Sequence, residues 1–421
     1  MHHAKPHKEM ELRKINRRNF LRKSLVSAGG LALLNVPTEV YGHTTQETRK
    51  GKMIYRMLGK TGLEVSVIAL GCEGFNKKTE QQVKVEFDFA MSHGINFLDL
   101  YASNPTLRSN IGYALKGRRK QMIIQGHLGA AWEDGQYLRT RNIGMTKAAF
   151  NDLLQRLQTD YIDIGMIHYV DEEDDFDKII TGDFLKLVKE YRQSGKIRHV
   201  GISTHSPLIA MKAAKSGVVE VIMLSVNPGY DLQIADGKIT HMTPEREQLY
   251  EYCAGKGIAI TVMKAFGGGN LLNDGDSPFG RAFTPVQCIE YAATRPAVAA
   301  IMCGAKTVSE MQAALHWCEA TGGEKDFMAV LSGVTSTDWK GRCMYCTHCE
   351  PCPEEIPIAE VNKYLNLTLA QNEVPETVRE HYKLLTHHAS DCSECAQCEL
   401  RCPFEVSIIE NMKRAVKVFG M

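Results

Sequence analysis

Eight short apolar runs, each followed by a segment of helical character, constrain the fold of this chain more than any other feature. Near-continuous apolar strands that alternate with helices are typical of parallel sheets buried on both faces. Eight such units fit a closed (β/α)8 TIM barrel, an α/β fold whose chemistry gathers at the C-terminal ends of the strands. The runs are Val65–Cys72, Asn96–Leu100, Met122–Leu128, Ile162–Tyr169, His199–His205, Val221–Asn227, Ile258–Ala265 and Val298–Ala305.

An open, doubly wound sheet is the structural alternative. Such a sheet usually carries a GxGxxG turn after its first strand, and this chain has none there. Its glycine-rich stretch GGGN, Gly267–Asn270, instead follows the seventh run. The pattern therefore favours the barrel, which we place at residues 53–333.

The charged residues balance almost completely. The chain holds 50 Lys and Arg against 49 Asp and Glu, a formal net charge of +1. Without a basic excess there is no overall attraction to a phosphate backbone, so no nucleic-acid partner is expected.

The N-terminal segment, residues 1–42, has the organisation of an export signal. The pair Arg17-Arg18 precedes Phe20-Leu21 and an uncharged, mostly apolar run, Leu25–Val36, that is too short to span a bilayer. This order resembles the bacterial twin-arginine signal, which implies that the export machinery carries the folded protein to the periplasm. A basic tail with a hydrophobic patch is the alternative, and an uncleaved signal would tether the protein to the membrane. A polar linker, residues 43–52, follows.

Two bunched cysteine runs set residues 334–421 apart as a second, smaller domain. The chain has thirteen cysteines, and bunched short spacings indicate metal ligands rather than a disulfide scaffold. A helix-like stretch, Ile358–Glu380, separates the runs, and an amphipathic segment, Val406–Phe419, follows them. The runs are CMYCTHCEPCP, with Cys343, Cys346, Cys349 and Cys352, and CSECAQCELRCP, with Cys392, Cys395, Cys398 and Cys402.

The second run has the spacing of bacterial two-cluster ferredoxins, and the first differs by one residue in its last gap. We therefore predict a small α-helical, ferredoxin-like domain with two [4Fe–4S] clusters, and two structural zinc sites are the alternative. Because such clusters are assembled before export, they fit the twin-arginine signal. In the ferredoxin arrangement one cluster is held by Cys343, Cys346, Cys349 and Cys402, and the other by Cys392, Cys395, Cys398 and Cys352.

Five further motifs resemble the aldo-keto reductase family. With the cysteine runs, they are similar to a branch of that family that carries a ferredoxin-like extension. The resemblance implies a barrel that reduces carbonyls with NADPH through an Asp, Tyr, Lys and His tetrad at the strand ends. The motifs are YRMLGKTGLEVSVIALGC at 55–72, GINFLDLY at 94–101, DYIDIGMIHY at 160–169, GKIRHVGIS at 195–203 and GIAITVMKAFGGGNL at 257–271.

Two members of that tetrad are matched and two are replaced. Asp99 and His168 fall at the family's aspartate and histidine, whereas Asn104 stands at the tyrosine and His127 at the lysine. Tyr101 is expected to point to the same side as Asp99, because side chains alternate along a strand. We predict Asp99, Tyr101, His127 and His168 as catalytic groups for proton transfer, with Asp99 favouring the protonated form of His127.

The cofactor-binding residues are predicted from the last two strands. Gly304 and Lys306 in CGAKTV resemble the family's phosphate-binding loop, and Lys264 at the end of the seventh strand faces the mouth or a phosphate. The pair Ala313-Ala314 replaces the Glu-Asn pair that grips the adenine, so NADP(H) binding stays open. The acidic run Asp171–Asp175 is interpreted as a solvated loop.

Together these features predict an exported iron–sulfur oxidoreductase that acts on a small polar, sugar-like carbonyl or alcohol. Electrons would pass through the two clusters to a redox partner protein or a quinone-linked membrane complex. Three alternatives stay open: a redox-neutral lyase or isomerase with structural clusters, a non-catalytic electron-transfer subunit, and an ordinary NADPH-dependent carbonyl reductase.

Overall fold

The computed structural model describes residues 47–235, 238–332, 341–343, 349, 351–369, 374–402 and 404–421. The predicted export signal, the predicted boundary between residues 333 and 334 and the predicted ligand Cys346 lie outside these residues. Within the described part of the chain, no helix has both the length and the hydropathy that a membrane span requires.

The strands are short, and those of the central sheet are almost entirely buried. They are β1 (Glu47–Lys50), β2 (Met53–Met57), β3 (Glu64–Ser66), β4 (Ile68–Gly71), β5 (Phe97–Leu100), β6 (Ile123–Leu128), β7 (Ala130–Glu133), β8 (Gln136–Arg139), β9 (Ile162–Ile167), β10 (Ile197–Thr204), β11 (Val221–Ser225), β12 (Leu232–Ala235), β13 (Lys238–Met242), β14 (Ala259–Met263) and β15 (Val298–Cys303).

Eight of the described strands close into a parallel barrel, which confirms the predicted architecture and excludes the open sheet. Their order around the barrel is β4-β5-β6-β9-β10-β11-β14-β15, and β15 pairs with β4 to close the ring. Every predicted run contributes one strand in chain order. The first run, Val65–Cys72, divides in two, because β3 pairs antiparallel with β2 outside the barrel.

Most of the helices follow barrel strands and cover the outside of the barrel, and the last four belong to the C-terminal region. They are α1 (Glu80–Ser92), α2 (Pro105–Ala114), α3 (Ile143–Arg156), α4 (Glu173–Thr181), α5 (Asp183–Gln193), α6 (Pro207–Ser216), α7 (Pro228–Asp231), α8 (Pro244–Lys256), α9 (Pro285–Ala293), α10 (Val308–Leu315), α11 (Met328–Leu331), α12 (Ile358–Leu369), α13 (Glu376–Lys383), α14 (Gln397–Arg401) and α15 (Ile408–Phe419).

The N-terminal ends of the barrel strands are joined to the sheet of β1, β2 and β3. Arg56 on β2 donates to the carbonyl of Val298, where β15 begins, at 2.8 Å and pairs with the carboxylate of Glu47 at 2.6 Å. Residues Glu47–Lys50 of the predicted linker therefore form a paired strand, β1, rather than a free connection.

Side chains fill the barrel interior. One hydrophobic cluster, which includes Phe97, Ile164 and Met166, lies inside the strands, and a larger one lies between strands and helices. The interior is therefore a packed core, and ligands are restricted to the strand ends.

The C-terminal region is helical, as expected, but the stretch Ile358–Glu380 forms two helices rather than one. Pro375 precedes α13 as its N-cap residue, and proline disfavours helical continuation from the residue before it. Helix α12 packs on α15, where the Asn411 amide donates to Asn362 at 2.7 Å. Tyr382 on α13 stacks on Phe419 with ring centres 4.0 Å apart.

Candidate active site

The structure brings Asp99, His127 and His168 together at the C-terminal end of the barrel. Oδ1 of Asp99 lies 2.9 Å from Nε2 of His127, and Nδ1 of His127 lies 2.7 Å from Nδ1 of His168. The contact follows from the strand order, since β5, β6 and β9 are neighbours and each side chain lies at or just past a strand end. All three side chains are buried.

Two residues that the sequence analysis missed extend this group. The Tyr137 hydroxyl, on β8, is hydrogen-bonded to Nε2 of His168. The Gln125 amide, two residues before His127 on β6, donates to Oδ1 of Asp99 at 2.8 Å. Strand alternation could have identified Gln125, whereas Tyr137 lies in the β7–β8 hairpin, outside the strand-end pattern.

The hydrogen bonds form a continuous row from Tyr137 through His168 and His127 to Asp99, which we call the proton relay. Burial, and then the neighbouring His127, hold the pKa of His168 well below its usual value, and burial raises the pKa of Tyr137. A neutral imidazole can therefore accept the phenol proton at Nε2 and donate from Nδ1 to His127, whose Nε2–H donates to Asp99. Each bond then has one donor, and protons can shift along the row.

Tyr101 lies beside the relay but bonds elsewhere. Its ring centre is 6.3 Å from that of His127 and 6.5 Å from that of His168. Its hydroxyl is hydrogen-bonded to Thr377 on α13, and burial raises its pKa well above the usual value. Asn104, at the place of the family's tyrosine, caps α2 by accepting from the N–H of Leu107 at 3.1 Å.

Two arginines hold the loop after β9. Arg139 donates to the carbonyl of Tyr169 at 2.9 Å, and Arg141 donates to that of His168 at 2.8 Å. Tyr169 has φ +45°, a left-handed backbone that costs about 1–3 kcal/mol in a bulky residue. The arginines and the Tyr169 backbone fix the side chains of this loop at the mouth.

Helices α12 and α13 cover the barrel mouth. Their contacts reach loops after five barrel strands: Tyr101 with Thr377, the Tyr137 N–H with Glu376 at 3.1 Å, the Tyr169 hydroxyl with that of Tyr364 at 3.2 Å, the Tyr230 ring with Lys363 Nζ at 5.4 Å, and the Asn270 amide with the carbonyl of Asn366 at 2.9 Å.

One glycine permits the close approach of α12. Gly268, after β14, has φ +72°, and a Cβ there would lie 2.6 Å from Cδ2 of Leu367. A side chain at this position would therefore force the Leu367 side chain of α12 to move, in addition to the strain of its left-handed backbone.

The three predicted cofactor-binding residues occupy different surroundings. Gly304 and Lys306, after β15, are exposed. Lys264, after β14, is only partly exposed and has φ +59°. Burial, and then Lys363 on α12, lower the pKa of Lys264 to about 8. Lys264 therefore faces α12 of the C-terminal region, while the loop after β15 faces solvent.

The prediction of a solvated loop at Asp171–Asp175 is wrong for the first and the last residue of the run. Oδ2 of Asp171 lies 2.9 Å from Nδ1 of His205, and Oδ1 accepts from the Thr204 hydroxyl at 2.9 Å. Although burial opposes ionisation, His205 holds the pKa of Asp171 well below its usual range. Asp175 pairs with Arg141 at 2.8 Å.

The four cysteines predicted for one cluster line a single pocket. Glu394 and Ala396, on either side of Cys395, have positive φ, so the loop is tightly turned there. Apolar residues, including Ile358 and Met412, complete the wall. The lining cysteines are Cys352, Cys392, Cys395 and Cys398.

Hydrogen bonds join the two chain segments that carry the described cysteines of the other predicted set. Arg401, next to Cys402, donates to the carbonyl of Cys349 at 2.7 Å. The N–H of Gly341, two residues before Cys343, donates to the carbonyl of Phe404 at 2.7 Å. In the described part of the chain, no three His, Cys, Asp or Glu side chains are grouped to hold one metal ion. The set of cysteines that includes Cys352 therefore lines a pocket and is not arranged as the ligands of a single metal ion.

Residues 67–317 match the model of the aldo/keto reductase family. An uncharacterized oxidoreductase of Bacillus subtilis is 31% identical over 173 residues, which are 40% of this chain and 55% of that protein. L-galactose dehydrogenase of Arabidopsis thaliana is 25% identical over 298 residues, which are 68% of this chain and 85% of that protein. The chain thus spans about half the length of the first of these relatives.

A solved aldo-keto reductase from Bacillus halodurans has the same fold. It superposes with a TM-score of 0.53 at 24% identity and covers 67% of this chain and 96% of its own. A second aldo-keto reductase structure, from Pseudomonas aeruginosa, gives a TM-score of 0.50 at 21% identity over 63% of this chain and 94% of its own.

Proposed function

This chain belongs to the aldo/keto reductase family, and we propose that it is an oxidoreductase that interconverts an alcohol and a carbonyl at the buried proton relay. The row of hydrogen bonds from Tyr137 to Asp99 carries the proposal. Oxidation of an alcohol removes two electrons and two protons. The relay takes the hydroxyl proton at Tyr137, which passes its own proton to His168. The carbon-bound hydrogen leaves as a second proton through the same row, and the two electrons leave one at a time to two one-electron acceptors. Reduction reverses both movements.

The proposed substrate is small, polar and sugar-like. The relay lies beneath α12 and α13, which favours a small molecule, and the hydroxyls of Tyr101, Tyr169 and Tyr364 offer hydrogen bonds to a polyol. L-galactose dehydrogenase, among the similar proteins, supports the same class.

The electron acceptor in this proposal is a pair of [4Fe–4S] clusters. Cys352, Cys392, Cys395 and Cys398 would hold one, because four thiolates around an apolar pocket are the donor set that such a cluster takes. Cys343, Cys346, Cys349 and Cys402 would hold the other. Bound clusters supply one-electron transfer, and the chain provides apolar walls that tune their potential.

Export by the twin-arginine route and a redox partner outside the cytoplasm complete the proposal. The order of Arg17-Arg18 and the apolar run Leu25–Val36 supports export. A quinone-linked membrane complex or a partner protein would exchange electrons with the clusters.

A second candidate is an ordinary NADP(H)-dependent carbonyl reductase. The observation in its favour is that Gly304 and Lys306 are exposed, and no atom lies within 4 Å of a Cβ built on Gly304. Fluorescence titration of the purified protein with NADPH distinguishes the two, since micromolar binding supports the nicotinamide reaction.

The decisive experiment is anaerobic purification followed by counting of iron, sulfide, zinc and bound nucleotide. Two clusters predict about eight iron atoms per chain. Cys398→Ala should remove about half of the iron, because it deletes one ligand of one cluster. Cys253→Ala, at a buried core cysteine, is the matched control and should keep all of it. A colourless protein with zinc in place of iron would contradict the proposal.

A further inference from the structure

A chain of polar side chains crosses the barrel interior below the proton relay. It begins at Thr261 on β14, whose hydroxyl donates to the side-chain carbonyl of Gln125 at 3.2 Å. The Gln125 amide, on β6, then donates to Oδ1 of Asp99 at 2.8 Å. Three strands separate β6 from β14 in either direction around the ring, so the bond between them spans the barrel. We call Thr261, Gln125 and Asp99 the cross-barrel chain.

The surroundings of this chain are apolar. Thr261 and Gln125 are both 0% exposed. The neighbouring interior cluster includes Ile164, which pairs with Gln125 in register, and Met223, whose sulfur lies 3.4 Å from the Gln125 nitrogen. An amide or hydroxyl buried among such groups destabilises a protein unless it is hydrogen-bonded, whereas an apolar side chain of similar size needs no partner. The packing of the core therefore does not account for these two polar side chains.

The acceptor at the end of the chain fixes the direction of its bonds. An ionised carboxylate can only accept, so the Gln125 nitrogen faces Asp99 and the Gln125 oxygen faces Thr261. The Thr261 hydroxyl is then the donor, because the amide oxygen opposite it can only accept. Thr261 thus fixes the orientation of the Gln125 amide, and the amide fixes the Asp99 carboxylate.

The same carboxylate oxygen also ends the proton relay. Oδ1 of Asp99 accepts from Nε2 of His127 at 2.9 Å and from the Gln125 amide at 2.8 Å. A carboxylate oxygen has two lone pairs, and the two N–H donors occupy both of them. The relay therefore reaches Asp99 at an atom that has no lone pair left for a proton.

We propose that Gln125 and Thr261 are positioning residues that hold Asp99 as a fixed acceptor at the inner end of the proton relay. The proposal rests on the alcohol and carbonyl chemistry proposed above. Neither residue contacts Tyr137 or the two histidines of the relay, so both act through Asp99. With the carboxylate held in place, the ring of His127 keeps the orientation in which its Nδ1 faces the next histidine.

The consequence for the reaction is that a proton entering the relay stops at His127. Tyr137 gives its proton to Nε2 of His168, and the proton on Nδ1 of His168 moves to Nδ1 of His127. His127 keeps the proton on its Nε2 and becomes a cation, which the carboxylate of Asp99 stabilises. No proton is transferred to Asp99.

The resting protein tests the proposal without turnover. In the full chain with isotope-labelled histidine, the Nε2 proton of His127 gives a magnetic resonance signal whose position depends on the hydrogen bond to Asp99. We expect Gln125→Met to shift this signal, because the substitution removes one of the two donors on Oδ1. Thr261→Val should shift the signal in the same direction, and Thr261→Ser, which keeps the hydroxyl, should leave it in place.

Ile164→Val is the matched control, because it changes the packing of the same interior layer without removing a polar group. Its signal should stay at the native position. A signal that moves equally in this control, or that does not move in Gln125→Met, would overturn the proposal. If Gln125→Met does not fold, the two Thr261 variants decide the question, since equal signals from Thr261→Val and Thr261→Ser would also overturn it.

Steady-state kinetics adds a second measurement, with galactose as the probe substrate and ferricyanide as the one-electron acceptor. Gln125→Met should lower kcat by about tenfold and leave KM unchanged, because a positioning residue does not bind the substrate. Thr261→Val should lower kcat by about threefold in the native chain and have no further effect in Gln125→Met, because Thr261 acts through Gln125. Losses that multiply in the double variant would assign Thr261 to barrel packing and contradict the proposal.

These outcomes stay distinct from those of the proposed function. A shifted His127 signal in a protein that oxidises no alcohol supports the positioning of Asp99 and removes the relay chemistry. Alcohol oxidation that Gln125→Met leaves unchanged, with the His127 signal in its native position, removes the positioning role and leaves the proposed function.

Discussion

The proton relay and the seam cluster lie side by side, joined through His168 and Tyr169, but they are built in opposite ways. The relay side chains come from three neighbouring barrel strand ends and the β7–β8 hairpin, and consecutive members are joined by hydrogen bonds. The seam cluster, which consists of Asp171, His205, Lys264, Lys363 and His381, takes two side chains from α12 and α13 and contains an imidazole with no hydrogen-bond partner among the described residues. A fully bonded row can move protons within the protein, whereas a buried imidazole without a partner lowers the stability of the fold.

Removing the centre of the relay should have the largest effect. His168→Ala breaks the row between Tyr137 and His127, so we expect turnover to fall by about a thousandfold. The visible absorbance of the proposed clusters should be unchanged, because the cysteine pocket lies in the C-terminal region and not at the relay. Unchanged turnover would show that the relay takes no part in the reaction.

The outer end of the relay should matter less. Tyr137→Phe deletes the hydroxyl that bonds to His168 but keeps the ring, and we expect turnover to fall by about a hundredfold with the fold intact. Tyr113→Phe, at an exposed tyrosine of α2, is the matched control. Steady-state rates of the two variants measure the difference, and equal rates would show that the row ends at His168.

Acid should destabilise the protein through the histidines that both sites bury as neutral groups. Their folded-state pKa values lie below the unfolded value of about 6.5, so only the unfolded chain takes up protons as the pH falls below it. The free energy of unfolding is then fully present above about pH 6.5. It falls by up to about 1.4 kcal/mol per pH unit per histidine as the pH decreases.

Denaturant titrations between pH 7 and 5 measure this slope. His381→Phe should make it shallower by one histidine, whereas His93→Gln, at an exposed histidine, should leave it unchanged. A slope that neither variant alters would mean that His381 titrates normally in the folded protein.

A single bond between the barrel mouth and α13 should have the smallest effect. Thr377→Val removes the hydrogen bond to Tyr101 and should lower the free energy of unfolding by about 1 kcal/mol. Thr377→Ser keeps the hydroxyl and should behave like the native protein. If the two variants are equally stable, packing alone holds α13 to the mouth.

The sequence located the relay in large part because strand ends in a barrel converge. Asp99, His127 and His168 each lie near the end of a predicted run, and the three runs form neighbouring strands. The three side chains must then meet at the same mouth of the barrel, and the structure places them in contact. Gln125 follows from the same alternation. Tyr137 does not, since its hairpin leaves the strand pattern and returns to His168 only in three dimensions.

The seam cluster had no comparable signal. Asp171 and His205 are 34 residues apart, and His381 lies much further along the chain, on α13. No periodicity therefore relates the three residues. The acidic run at Asp171 resembled any solvated loop until burial and His205 gave it a partner.

By itself the amino-acid sequence determined the eight barrel strands, their order and the cysteine spacings, because these depend on local periodicity and short-range chain geometry. Only the tertiary structure decided that α12 and α13 close over the barrel mouth, and with them which side chains are buried, paired or left without a partner. Those properties depend on long-range packing between surfaces, which a linear pattern of residue types does not encode.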